Sequence, residues 1–380
     1  MILITIAEVI LYICFSILFG ALMLALVPET KKPPVYIPQR LQILAAALIP
    51  VAAFMPVFDV ARTLGAGMDL SFILQSVLFS FEIGQAWMLI LIISLVLMIV
   101  LLGKNLSDSK QLNFWALLLT LFMLIAYTSS SHAASLSDWG FLWHTLHFLA
   151  VSVWIGILLM VSWFAKSQEN WTTFLKWFTP LALTCLFIVM VSGYFTMSID
   201  IASYDDPNAS VVQEYSDSLM VNYGQALFLK HLFIISLIMF AVFNGILFRK
   251  KSSVDSFNPF KWARAESVYA LIVFGLTAFM GQSWPPHQLY SLINTEGPSP
   301  LFQAVYDGQM ISTIQNAGQT GIFHVSLSFG LESYLLFAMS ILFLVMMIFA
   351  AVKRHSVFAT SFASLLMMLA LYFGVILGVQ

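Results

Sequence analysis

Long apolar runs, broken by short polar segments, make up most of the chain. Runs of about 20 residues can cross a ~30 Å hydrocarbon core as helices. Runs of roughly that length fall at 2–27, 40–60, 84–103, 112–129, 140–164, 174–198, 223–248, 264–283, 329–351 and 357–378. Lipid offers backbone amides no hydrogen-bond partners, so such runs predict helices. The expected fold class is all-α: a polytopic transmembrane helical bundle of about ten spans with both termini outside. The apolar stretch Leu70–Ser80 is too short to cross and suits an interfacial helix.

The basic residues orient this bundle. Connections on one side hold Lys31, Lys32, Arg40, Lys104, Lys110, Lys166, Lys176, Arg249, Lys250, Lys251, Lys261, Arg264, Lys353 and Arg354, fourteen of the sixteen in the chain. The other side holds only Arg62, and Lys230 lies within a span. Positive residues stay cytoplasmic, which places both termini outward. The outer connections are longer. The 199–222 segment carries Asp200, Asp205, Asp206, Glu214 and Asp217, and 284–328 is rich in Pro and Gly, among them Gly318 and Gly321. Solvated linkers and a weak collector of cations both fit these segments.

Composition agrees with a membrane setting. Of 380 residues 61% are hydrophobic and 9% charged, against about 25% charged in a soluble domain. A net charge of −2 gives no reason to expect a nucleic-acid partner. Cys14 and Cys185 lie inside apolar runs and make neither a disulfide framework nor a C-x-x-C clip. The first run lacks a basic residue before it and reads as a retained helix rather than a signal peptide. No G-x-x-x-x-G-K-[ST] sequence, D-K-T-G sequence or Cys-Pro dipeptide is present, and no catalytic constellation is evident. A non-enzymatic protein is expected.

Candidate chemistry rests with histidine. Six of the seven fall toward the outer side: His132, His144, His147, His231, His287 and His324, with His355 cytoplasmic. His144 and His147, spaced i and i+3, share one helix face. Imidazole suits copper, zinc, iron and nickel. His132 lies just upstream and could fold over the pair. The alternative is interfacial histidines bonded to carbonyls or water. Met190, Met197, Met220, Met280 and Met310 also lie toward the outer side; thioethers select Cu(I) but also fill gaps in apolar packing. The metal candidates are therefore His132, His144 and His147, with His231, Met280, His287 and His324 as secondary ones. A rival scheme pairs His144 or His147 with His231 as axial ligands of a b-type haem.

Several ordered segments carry a family likeness. These are Phe81-Glu-Ile-Gly-Gln-Ala-Trp87; Ser131-His-Ala133 with His144-Thr-Leu-His147 and Val153-Trp154-Ile-Gly156; Asn222-Tyr223-Gly224 with Leu229-Lys230 and Asn244; and Trp262-Ala-Arg-Ala-Glu266 with Leu276-Thr277 and Pro285-Pro286. In this order, over about 80–286, the chain resembles the copper resistance D family of bacterial inner-membrane proteins. The resemblance implies copper handling, with uptake of copper ion, Cu(I) or Cu(II), across the inner membrane. It implies histidines at 132, 144 and 147, and a separate periplasmic copper-binding partner of the copper resistance C type. Residues 287–380, an outer loop and two further spans, resemble the family poorly and are set apart from a 1–286 bundle.

Overall fold

The computed structural model describes residues 2–65, 69–103, 109–204, 206–247, 258–306, 308 and 324–380. Lys104, Asp205, Arg249, Lys250, Lys251, Met310, Gly318 and Gly321 lie outside the described residues. Among the described residues ten helices are long and apolar enough to span a bilayer, and no strand occurs beyond two isolated bridges. The all-α, ten-span architecture expected from the apolar runs is the one observed.

The chain divides into two compact units, residues 1–196 and 197–380. The first contains α1 (Ile2–Leu26), α2 (Gln39–Leu64), α3 (Leu70–Ser80), α4 (Glu82–Leu102), α5 (Lys110–Thr128), the short α6 (His132–Leu136), α7 (Asp138–Phe164) and most of α8 (Trp171–Asp200). α1 is the hub, packed against α2, α5 and α7. Its Leu11, Phe15, Leu18 and Leu22 are buried against Ala45, Ala46 and Ile49 of α2, Leu97 of α4, Met123 of α5 and Phe148 of α7. α1 and α7 nearly touch backbone to backbone. A Cβ at Gly20 would stand 2.1 Å from the Gly156 carbonyl oxygen, and one at Gly156 would stand 2.2 Å from that of Ser16. Only glycine allows this approach, the small-residue contact by which membrane helices pack.

Proline shapes α2. Pro50 has no N–H, so the Ala46 carbonyl loses its intrahelical donor. Ser94 on α4 supplies one instead, its hydroxyl donating to Ala46 O at 2.7 Å. Trp87 on α4 donates from Nε1 to Pro50 O at 2.8 Å. The apolar α3 is a helix packed against α2 and α4, with Val77 buried beside Val57 and Ala61.

The second unit holds α9 (Val211–Ser218), α10 (Asn222–Val242, continued by a π-turn Phe243–Leu247), α11 (Pro259–Gly281), the short α12 (Leu289–Thr295) and α13 (Pro300–Gln303), α14 (Leu331–Phe349, with a π-turn Ala350–Arg354) and α15 (Val357–Ile376). α10 packs on α11 and α15, and α14 packs on α15. Buried polar contacts tie these helices. Tyr372 donates to Gln225 Oε1 at 2.6 Å, Ser364 to Ser236 at 2.7 Å, and Asn244 Nδ2 to Glu266 Oε2 at 2.7 Å. α14 leaves Leu331, Leu335, Ile341, Leu342 and Val345 exposed. An apolar face that broad belongs in lipid rather than water.

Candidate metal site

The α6–α7 corner positions the histidines expected to bind metal. Ser131 caps α6 by accepting from the Ala134 N–H, and Ser137 caps α7 by accepting from Trp139 N–H at 3.2 Å. Serine favours such positions because its side-chain oxygen satisfies an orphan amide. α6 folds tightly onto α7: a Cβ at Gly140 would stand 2.0 Å from the Ala133 carbonyl oxygen. His132, the first residue of α6, is exposed.

His144 and His147 are half-buried on α7. His147 turns to α8, with Nδ1 3.2 Å from Val189 O and 3.3 Å from the Ser192 hydroxyl. With its hydrogen on Nδ1, the ring donates to Val189 O, and Nε2 then carries the lone pair through which imidazole holds a metal. Gly193 makes room for the ring, since a Cβ there would lie 3.0 Å from Cε1.

The surroundings fix α7 on both sides. The Thr128 and Thr145 hydroxyls are 2.7 Å apart across α5 and α7. Phe148 packs edge-on against Tyr12 and Phe15 of α1, with centroids 5.3 Å away in each case. Trp143 stacks on Phe195 of α8 at 4.6 Å. α1 and α7 keep one register from Gly20 opposite Gly156 to Tyr12 opposite Phe148. One turn further out that register puts Glu8, which is only 8% exposed, at the level of His144.

The secondary candidates lie in the second unit, where the three histidines are each engaged by protein. Tyr215 OH and His231 Nδ1 are 2.9 Å apart. His287 is buried, with Nδ1 2.7 Å from Ala202 O and its ring stacked on Tyr204. His324 bridges two carboxylates: Nδ1 is 2.9 Å from Asp217 Oδ2, and Nε2 is 3.2 Å from Asp206 Oδ2. The hydrogen bond to Asp217 leads the causes that raise the His324 pKa above its ordinary value. Asp217 also accepts from Val325 N–H at 2.6 Å and from Gln213 at 2.8 Å. Glu214 accepts from Ser203 N–H at 2.9 Å, and burial raises its pKa. Glu214 and Asp217 are thus folded into the outer segments rather than left in solvent. Met280 ends α11.

Among the described residues no three His, Cys, Asp or Glu side chains form a group that could hold a metal ion. The i, i+3 pair is present on α7, and His132 does not close it into such a group. The residues that orient His147 come from α8, 42 to 46 residues away in sequence. Their trace in the sequence is Ser192-Gly193, a small polar pair set in an apolar span.

Residues 1–142 match the family model described as copper resistance protein D-like, N-terminal domain. The match covers α1 to α6 and the start of α7, so it includes His132 and stops just before His144. It overlaps the stretch of resemblance read from the sequence, about 80–286, over residues 80–142. No curated protein and no solved structure matches the chain. Ten apolar spans among the described residues, together with an N-terminal stretch similar to the copper resistance D-like N-terminal domain, make the chain a copper-resistance-related, multi-pass membrane protein.

Proposed function

We propose that the protein carries copper across the bacterial inner membrane from the periplasm. Copper is its cargo, and His144 and His147 are the first ligands met inside the bundle. The observation that carries this reading is the imidazole pair on one face of α7, beside a domain of copper-resistance type. Polar side chains at this depth are costly and generally functional. The Val189 contact supports the reading as well, because it selects the His147 tautomer whose Nε2 accepts a metal. His132, exposed one corner away, is the ligand that hands copper to the pair. A periplasmic protein of the copper resistance C type is the donor on this scheme. The sequence carries no ATP-using motif of the kinds named above, and on this reading the flux is downhill, ion-coupled or driven by a partner.

The test is copper accumulation in cells expressing the wild-type chain or a His144→Ala/His147→Ala double variant at equal membrane abundance. The double variant is expected to fall to the level of cells lacking the protein. Wild-type accumulation by the double variant would refute the assignment. A haem absorption band in the purified protein would favour the redox scheme instead.

A further inference from the structure

One set of polar groups in the second unit does not close as a hydrogen-bond network. Asp200, the last residue of α8, accepts on Oδ2 from the Tyr223 hydroxyl at 3.2 Å. Its Oδ1 is buried and meets no donor among the described residues. Lys230 follows Tyr223 by seven residues on α10, which places it on the same face about two turns deeper. Its charge acts on Asp200, yet the ion pairs among the described residues do not include the two together. The titratable groups acting on Asp200 are therefore Tyr223 and Lys230, both from α10. α9 brings Tyr215 and Glu214 to the same end of the unit, and His287 joins them through Ala202.

A carboxylate and an ammonium kept only for stability are expected to close on each other, since a half-satisfied buried charge is costly. This pair stays apart and leaves one carboxylate oxygen bare. A buried carboxylate oxygen without a donor is costly, and the neighbouring ammonium disfavours a metal cation there. A proton can bind Oδ1 while Oδ2 keeps its bond to Tyr223, so neither neighbour is displaced. Asp200 is also where α8 gives way to the 201–204 segment, on the outer side by the basic-residue pattern.

We infer that Asp200 is a proton-binding site at the outer end of the second unit, held by Tyr223 and poised by the Lys230 charge. On binding, a hydronium ion or buffer acid outside transfers its proton, and an O–H bond forms at Oδ1. The donor keeps the electron pair of the bond that breaks, and the site gains one positive charge. Oδ2 still accepts from Tyr223. Release reverses the step. The inference does not depend on the copper reading.

Infrared difference spectra of the full chain in lipid nanodiscs, recorded across pH, test it. Wild type is expected to show a protonated-carboxyl C=O band that titrates and is lost in Asp200→Asn. Lys230→Met, which keeps the carboxyl, is expected to displace the titration midpoint by about one unit. Gel filtration and thermal melting check that each variant is folded. A titrating band that persists in folded Asp200→Asn, or its absence from wild type, would overturn the inference. Should Asp200→Asn not fold, an unchanged midpoint in both Lys230→Met and Tyr223→Phe would overturn it.

Discussion

The groups that hold the His147 ring include a carbonyl, a hydroxyl and the bare Cα of Gly193. Such contacts set which nitrogen faces a metal, and losing one typically costs about 10–100-fold in metal affinity. Gly193→Val is expected to weaken copper binding by about tenfold, read by competition with a chelator of known affinity. Wild-type affinity in that variant would show that α8 does not orient the ring. His324 is a different case. Its pKa is raised, chiefly by the hydrogen bond to Asp217, so its contribution to stability is complete below the ordinary value of 6.5. That contribution fades as pH climbs through the higher value of the folded protein. The difference in melting temperature between wild type and His324→Ala is therefore expected to be present at pH 6 and to vanish in alkaline buffer. A pH-independent difference would mean the His324 contacts do not act through charge. The spacing of His144 and His147 was visible in the sequence. Their partners were not, because hydrogen bonds across 42 residues exist only once α7 and α8 are packed.

At the scale of the helices, the apolar runs sufficed to locate all ten spans because lipid leaves so few alternatives to a helix. Leu70–Ser80 was legible as a short helix, but its packing on α2 and α4 was not. A proline at position 50 leaves the Ala46 carbonyl without its helical donor whatever the packing, while its repair by Ser94 depends on how α4 crosses α2. Ser94→Ala removes that donor from a buried carbonyl, and interhelical hydrogen bonds in membranes average about 0.6 kcal/mol with maxima near 1.7. A loss of about 1 kcal/mol is expected in detergent unfolding, and no loss would mean Ala46 finds another donor. Gly156→Ala is more severe, because the added methyl would stand 2.2 Å from a backbone oxygen rather than a flexible side chain. Overpacking of this sort costs about 1–3 kcal/mol, and separation of α1 from α7 would show as a lower melting temperature. An unchanged melting temperature would contradict the tight crossing.

For the whole molecule, the basic residues predict an orientation with both ends outside. A C-terminal alkaline phosphatase fusion, active only outside the cytoplasm, is expected to be active, and an inactive fusion would reverse the sidedness of every histidine. The division near Thr196 falls inside a continuous apolar helix, so no polar linker marks it in the sequence. The matched domain, residues 1–142, and the imidazole pair of α7 adjoin one another in the first unit. That adjacency is the reason to place copper there rather than at the acidic outer segments, whose Glu214 and Asp217 are already occupied by backbone amides. The most direct test is copper content and optical spectrum of the purified protein before and after copper exposure, for wild type and the His144→Ala/His147→Ala variant. Stoichiometric copper in wild type that is lost from a folded double variant is the predicted result, and equal copper in both, or none in either, would contradict the account.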